Sequence, residues 1–211
     1  MLQIEHIGQI SYQEALERQH SLVEQRRAGD APDTVLLLEH DPVYTIGRTS
    51  DQSSLNGADR LPHPVVEISR GGQATFHGPG QLVGYLILDL KNYGQDLHNY
   101  LRSIEEILIA ACVEFGLEAA RREGLTGVWI GQRKLASIGV GVRHWVSLHG
   151  FAINVLGDLA PFDEIIPCGI RGVEMTSVSR ELGRDISVES FAEVLIPHIH
   201  LQLDLLRSGR A

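Results

Sequence analysis

The chain has 211 residues, 27 of them acidic and 18 basic, so its formal net charge is −9. This charge argues against an electrostatic nucleic-acid binder, and no apolar run is long enough to predict a membrane-spanning helix. A hydrophobic content of 43% at this length predicts one globular domain over 1–211. The N-terminal segment lacks the basic and apolar regions of a secretory signal, so we expect a cytoplasmic protein without nucleic-acid or membrane partners.

The first part of the chain predicts one helix, several strands and a long loop. Apolar residues recur at helical spacing over 14–30, and Gly29 marks the end of this helix. Short apolar runs predict strands over 34–40, 42–48, 65–69 and 82–90, with a turn back as the alternative for the second. Residues 49–64 are rich in Ser, Asn, Gly, Asp and Pro, which predicts a loop.

The second part predicts two helices with β-rich segments between them. Apolar residues recur at helical spacing over 97–116, and Cys112 beside that stripe is expected to be buried and inert. A C-terminal helix is expected from an N-cap at Ser187 to Leu206, with Pro197 kinking or splitting it. Strands are predicted over 127–130, 134–142, 144–148 and 150–155. The order of elements predicts an α+β fold, a mixed or antiparallel sheet with helices mainly on one side.

The segment "RGGQATFHGPGQL", residues 70–82, packs four glycines into a short stretch. A P-loop needs GxxxxGK[ST] before a helix, and the dinucleotide fingerprint GxGxxG also needs a following helix. This segment lacks the lysine, contains Pro79 and leads into a predicted strand, so both nucleotide motifs fail. It predicts instead a strand–loop–strand whose glycines let the backbone approach a ligand closely, with a structural Gly-rich turn as the alternative.

Two scarce residue types suggest the chemistry. The chain has two cysteines without CxxC spacing, so we predict neither a zinc site nor a disulfide. It also has only two lysines, compared with sixteen arginines. Cys168 lies between Pro and Gly in a non-periodic, loop-like segment over 162–172, a setting that can leave a side chain accessible. A nucleophilic thiolate needs a nearby cation or base, and Lys134 is the candidate. Biased composition is the alternative reason for so few lysines, and the residues alone do not show that Cys168 and Lys134 meet.

Four separated motifs identify a resemblance that covers nearly the whole chain. They are "RGGQATFHGPGQLVGY", "KLASIGVGV", "HGFAINV" and "IPCGIRG". In this order and spacing they resemble the octanoyl-[acyl-carrier-protein]:protein N-octanoyltransferases, also called lipoyl(octanoyl) transferases. Phe76 stands where many members carry Tyr. The resemblance implies the α+β fold of biotin and lipoate protein ligase catalytic domains, with no cofactor and no metal.

The resemblance also implies the roles of individual residues. Cys168 would be the acyl-thioester nucleophile, and Lys134 would lower its pKa and act as general base. The implied substrate contacts are Arg70, Gly71, Gly72, Gln73, Ala74, Thr75, Phe76, His77, Ser137, Ile138, Gly139, Gly150, Phe151 and Ala152.

The implied reaction moves an octanoyl group from octanoyl-acyl carrier protein to a lysine of a lipoyl domain. The acceptors would be the lipoyl domains of 2-oxoacid dehydrogenases and the glycine cleavage H protein. We expect backbone N–H groups around Cys168 or in Gly-rich turns to stabilise the oxyanion, with His77 or His149 as polar support. The other eight histidines are expected to be surface or packing residues. Four residues are expected to line the acyl tunnel: Phe76, Ile138, Phe151 and Ala152.

Two other functions remain as alternatives. An ATP-dependent lipoate or biotin ligase of the same fold would form an acyl-adenylate and would need no nucleophilic cysteine. A non-catalytic module would bind the acyl group or its carrier and form no covalent adduct. For docking an acidic carrier protein, the candidate basic residues are Arg133, Arg143 and Arg171.

Overall fold

The structure is a computed structural model that describes residues 2–47, 52–68 and 70–210. The described strands are β1 (Leu2–Ile10), β2 (Asp33–His40), β3 (Val43–Ile46), β4 (Val65–Glu67), β5 (Thr75–His77), β6 (Gln81–Ile87), β7 (Ala120–Arg122), β8 (Leu125–Ile130), β9 (Arg133–Arg143), β10 (Val146–Asn154) and β11 (Glu174–Met175). The described α-helices are α1 (Tyr12–Ala28), α2 (Leu97–Glu114), α3 (Val178–Leu182) and α4 (Val188–Arg207). Among the described residues, no helix is long and apolar enough to cross a membrane.

The strands form two sheets. The larger sheet has eight strands in the described residues, in the order β1-β2-β6-β10-β9-β8-β7, and β11 pairs with β9 beside this path. The β1–β2 and β9–β11 pairs are parallel, and the other pairs of this sheet are antiparallel. The smaller sheet has the order β4-β3-β5. Both parallel and antiparallel pairs are present, as the sequence predicts.

Alternating residues of the larger sheet serve two hydrophobic cores. In β2, Val35 and Leu37 belong to the core that contains buried residues of α2 and α4. Leu36 and Leu38 point to the opposite face and belong to the core that contains α1. This is the period of two that a β-strand imposes. The expectation of helices mainly on one side therefore holds for α2 and α4, whereas α1 covers the other face.

The ends of the first helix follow from its capping residues. Ser11 caps α1 because its side chain accepts a hydrogen bond from the backbone N–H of Glu14, so the helix begins two residues before the predicted start. Gly29 ends it with a left-handed φ of 86°, as predicted.

Some predicted boundaries are wrong. The two strands predicted over 144–148 and 150–155 are the single strand β10, which continues through Gly150. Pro197 does not split α4, since buried residues on both sides of it keep the helix packed on the core. Within the predicted loop over 49–64, the described part contains short 3₁₀ turns, and residues 49–51 lie outside the described residues. The same holds for the ends of the strands predicted over 42–48 and 65–69, at residues 48 and 69.

Candidate active site

A cavity of about 380 Å³ lies where the larger sheet meets the segment that leads into β5 of the smaller sheet. Two catalytic residues and fourteen substrate contacts are predicted from the sequence. Fourteen of these sixteen residues line the cavity, all except Ala74 and Phe76. They come from the segment 70–77, from β9 and β10, and from the turn that carries Cys168. The structure therefore brings four distant motifs to one cavity.

Phe76 does not line the cavity, so its predicted place in the acyl tunnel is wrong. Thr75 and His77 in β5 line the cavity, and Phe76 between them points to the other side of the strand. There its ring lies 5.2 Å from that of Tyr44 and 5.7 Å from that of Phe162. The side chain of Ala74 is also outside the lining, but its carbonyl accepts a hydrogen bond from Cys168 N–H at 2.8 Å.

Small residues on β9 and β10 make room for the cavity. Ser137 pairs with Ala152 and Gly139 with Gly150, so the two strands present small side chains at neighbouring positions. A Cβ added to Gly139 would lie 3.0 Å from Cδ of Arg70. Glycine at position 139 therefore lets the Arg70 side chain lie directly against the sheet.

Arg70 carries a positive charge into the cavity. Its guanidinium donates hydrogen bonds to the carbonyl and hydroxyl oxygens of Thr45, both at 3.0 Å, and to the Gly71 carbonyl at 2.9 Å. Within the described ranges it forms no salt bridge with a carboxylate. Burial lowers the pKa of Arg70, and its interaction with the Cys168 thiol opposes that effect.

Cys168 occupies a tight turn with a strained backbone. It follows Pro167 in a short 3₁₀ turn and has φ 55° and ψ 19°, a left-handed conformation that is uncommon for residues other than glycine. The hydrogen bond to the Ala74 carbonyl holds the turn against the glycine-rich segment. The thiol lies 3.5 Å from the hydroxyl of Ser137.

The environment of Cys168 favours the thiolate. Burial alone would raise the pKa of the thiol. The charge of Lys134, hydrogen bonds with Ser137 and Lys134, and the charge of Arg70 outweigh burial, so the pKa of Cys168 lies below its ordinary value. Cys168 and Lys134, which the sequence suggests as a pair without evidence that they are close in space, therefore lie together in the cavity.

The turn around Cys168 does not offer free oxyanion donors. Its three successive N–H groups are already bonded: Cys168 to Ala74 at 2.8 Å, Gly169 to Ile166 at 2.9 Å and Ile170 to Pro167 at 3.1 Å. The expectation of oxyanion donors from this turn is therefore wrong for this conformation. The other expected source, the Gly-rich turns, stays a prediction.

A buried cluster of aromatic and imidazole side chains lines one part of the cavity; its members His77 and His149 were expected from the sequence, whereas its other members were missed. Tyr12, His77, Tyr85 and His149 all line the cavity, and His40 bonds the Tyr85 hydroxyl through Nε2 at 2.6 Å. Burial lowers the pKa of His77 to about 3 and those of His40 and His149 to about 4, so all three imidazoles are neutral at pH 7.

Alternation along β6 places Tyr85 on the same side of the strand as Val83, and both line the cavity. Further lining residues that were missed include Leu101 on α2 and Leu125 on β8. Across the described ranges, no group of three or more His, Cys, Asp or Glu side chains could hold a metal ion.

Comparison with known proteins identifies the fold and then the family. A bipartite lipoate protein ligase from Thermoplasma acidophilum superposes with a TM-score of 0.70 at 16% identity, covering 96% of this chain and 83% of that one. A biotin protein ligase from Aquifex aeolicus gives a TM-score of 0.55 at 13% identity, over 98% and 70% of the two chains. These likenesses confirm the predicted fold, that of biotin and lipoate protein ligase catalytic domains.

Sequence similarity narrows this class. The model of the lipoyl protein ligase A/B catalytic domain matches residues 11–200. An octanoyltransferase from Geobacter sulfurreducens is 51% identical over 206 residues, which cover 97% of this chain and 86% of the relative. The chain belongs to the lipoyl protein ligase A/B catalytic-domain family and, within it, to the octanoyltransferases, which are acyltransferases.

Proposed function

We propose that Cys168 carries the octanoyl group as a thioester between octanoyl-acyl carrier protein and the lysine of a lipoyl domain. The observation that supports this most directly is that Cys168 and Lys134 line the same largely apolar cavity, where the charge of Lys134 lowers the pKa of the thiol. A thiol of lowered pKa beside a buried lysine is suited to nucleophilic catalysis, whereas adenylate chemistry would not require it.

In the first half-reaction the Cys168 thiolate attacks the carbonyl carbon of the donor thioester. A new S–C bond forms to Cys168 and the S–C bond to the carrier breaks, so one thioester replaces another of similar energy and no ATP is needed. The carrier leaves as a thiolate and takes a proton from the Lys134 ammonium. Acylation of Cys168 thus leaves Lys134 neutral.

In the second half-reaction the acceptor lysine attacks the octanoyl-enzyme as a neutral amine. Neutral Lys134 accepts the proton that the nitrogen loses as the amide forms. The S–C bond breaks, and the Cys168 thiolate returns beside the Lys134 ammonium. The same lysine therefore donates a proton in the first half and accepts one in the second, and the cycle closes without a further proton donor.

The acyl chain would lie along the apolar part of the cavity lining. Ile138, Phe151 and Ala152 from the predicted tunnel set line the cavity, together with Leu101 and Leu125. Each buried CH₂ contributes roughly 0.8 kcal/mol, so a cavity of fixed depth can select chain length.

The acidic carrier would dock beside the Cys168 turn. Arg133 is paired with Glu181 at 2.7 Å and Arg143 with Glu24 at 3.5 Å. Arg171 is exposed, lies three residues after the nucleophile and forms no ion pair within the described part of the chain. Of the three arginines nominated from the sequence, we therefore propose Arg171 as the carrier contact. The acceptors we propose are the lipoyl domains of 2-oxoacid dehydrogenases and the glycine cleavage H protein.

Intact mass measurement tests this function. The protein is mixed with octanoyl-acyl carrier protein without ATP, and a hydroxylamine-sensitive octanoyl adduct is expected. The adduct should persist in Cys112→Ala, the matched control, and disappear in Cys168→Ala. An adduct on Cys112 would contradict the assignment, and a protein that binds the donor without any adduct would be a binding module.

Two further variants separate the remaining alternatives. Lys134→Ala should slow both half-reactions, and unchanged rates would remove Lys134 from the mechanism. Full activity of Cys168→Ser with free octanoate and ATP would favour the ligase.

A further inference from the structure

We propose that Trp129 is a positioning residue, whose indole face holds the Lys134 ammonium against Cys168. Trp129 and Lys134 are direct cross-strand partners in β8 and β9. Nζ of Lys134 lies 5.3 Å from the centroid of the indole ring, within the range of a cation–π interaction. Both residues are almost completely buried, at 1% and 2% exposure, so the ring face replaces part of the water that would otherwise solvate the ammonium.

Gly127 also contacts Lys134, and we call Gly127 and Trp129 together the lysine cradle. Gly127 has φ 129°, and a Cβ there would lie 2.5 Å from the Ala136 carbonyl oxygen and 3.0 Å from Cε of Lys134. Only glycine leaves space for the lysine stem at this point. The Gly127 N–H donates to the carboxylate of Glu105 at 3.0 Å, which fixes the strand that carries the cradle.

The contacts of Trp129 indicate that its ring face is the functional part. The indole Nε1 is buried and has no hydrogen-bond partner among the described residues. A buried indole N–H without an acceptor is unfavourable, so polar bonding does not explain a tryptophan here. Indole has the strongest cation–π interaction of the natural aromatic rings, and its ring here also lies 5.2 Å from the guanidinium of Arg122.

The charged groups around Lys134 come from several elements. The Cys168 thiol interacts with Lys134, Arg70 lines the same cavity, and Arg122 shares the indole ring. The Glu105 carboxylate is buried behind β8 and is paired with two arginines. Glu105 is thus already paired, and the indole ring is the neutral group that the structure places against the Lys134 ammonium. Loss of the indole should release the Lys134 ammonium from its position beside Cys168 and so make the thiolate less stable.

The inference rests on the proposed function only in taking Cys168 as the nucleophile, and its test needs no octanoyl donor. The rate of iodoacetamide alkylation of Cys168 is measured against pH by peptide mass analysis. In Trp129→Leu the midpoint should move up by at most about one pH unit, and at pH values below the midpoint the rate should fall by up to about tenfold, because a cation–π contact is worth on that order. Trp129→Phe keeps a weaker ring face and should lose about threefold.

The second tryptophan is the matched control. Trp145 lies at the β9–β10 turn with 36% exposure, and Trp145→Leu should reproduce the wild-type profile. If circular dichroism shows that Trp129→Leu is folded, a wild-type pH profile of alkylation in this variant overturns the proposal. If it does not fold, Trp129→Phe decides, and an unchanged profile there overturns it. A shifted profile together with octanoylation that persists in Cys168→Ala would leave the cradle intact and reject the proposed function instead.

Discussion

Acid should destabilise this fold through its three buried, neutral histidines. His40, His77 and His149 are each less than 10% exposed, and burial lowers their pKa values to about 4, 3 and 4. In the unfolded chain a histidine titrates near 6.5. Between about pH 6.5 and 4 the unfolded chain therefore binds more protons than the folded one. The contribution of these histidines to stability is therefore fully present above about pH 6.5 and is lost as the pH falls below that value.

The size of the effect follows from the pKa difference. At pH 5 the unfolded chain is 1.5 pH units below the ordinary histidine pKa, whereas the folded histidines are still mostly neutral. At about 1.4 kcal/mol per unit, each histidine costs about 2 kcal/mol, and the three together about 6 kcal/mol. This is a large share of the roughly 5–15 kcal/mol that stabilises a typical domain, so marked destabilisation near pH 5 is expected.

Denaturant unfolding at about pH 7, 6 and 5 measures this loss. His149 provides the sharpest variant, because both of its ring nitrogens lack partners among the described residues and its φ of 60° is one that asparagine adopts readily. His149→Asn should therefore remove about 2 kcal/mol of the acid-dependent loss. His200→Gln, on the exposed side of α4, is the control. A stability that is flat between pH 7 and 5, or the same pH dependence in His149→Asn, would refute the reasoning.

Three further predictions follow from packing and burial. Gly150→Ala should destabilise the fold by at least about 1–3 kcal/mol, because the added Cβ would lie 2.2 Å from the backbone oxygen of Gly84; an unchanged melting temperature contradicts this. Asp33→Asn should cost about 3–5 kcal/mol in denaturant unfolding, because this buried carboxylate pairs with two arginines, and a loss below about 1 kcal/mol would show a minor role. Cys112 should resist iodoacetamide in the folded protein, since burial raises its pKa to about 12; alkylation as fast as in the denatured protein would disprove it.

Local sequence patterns predicted most of the fold but not the contacts that assemble the site. The Cys168 and Lys134 side chains could be nominated because both residue types are scarce. The segment that follows Cys168 reaches β9 through β11, which places Met175 beside Lys134 in a parallel pair only two residues long. A strand of two residues has no periodicity to read, so nothing in the local sequence indicates it.

Other differences arose where tertiary packing overrides local preference. Pro197 disfavours a helix locally, but Leu195 and Ile199 on either side of it are fully buried and hold α4 together. The side of β5 that faces the cavity could not be assigned before its register was known, which is why Phe76 was misplaced. The buried cluster around His40 and Tyr12 joins residues from separate elements, and single-sequence patterns carry no such information.

The backbone at position 168 restricts which nucleophile this site can carry. A φ of 55° is hardest for residues branched at Cβ, so threonine would be strained at this turn whereas cysteine and serine are not branched there. A serine hydroxyl is not ionised by a neighbouring ammonium and would need a general base to attack. The left-handed turn therefore disfavours threonine sterically. The neighbouring lysine favours cysteine over serine, because it stabilises a thiolate but does not ionise a hydroxyl. In this way a backbone angle narrows the chemistry that the site could acquire by mutation.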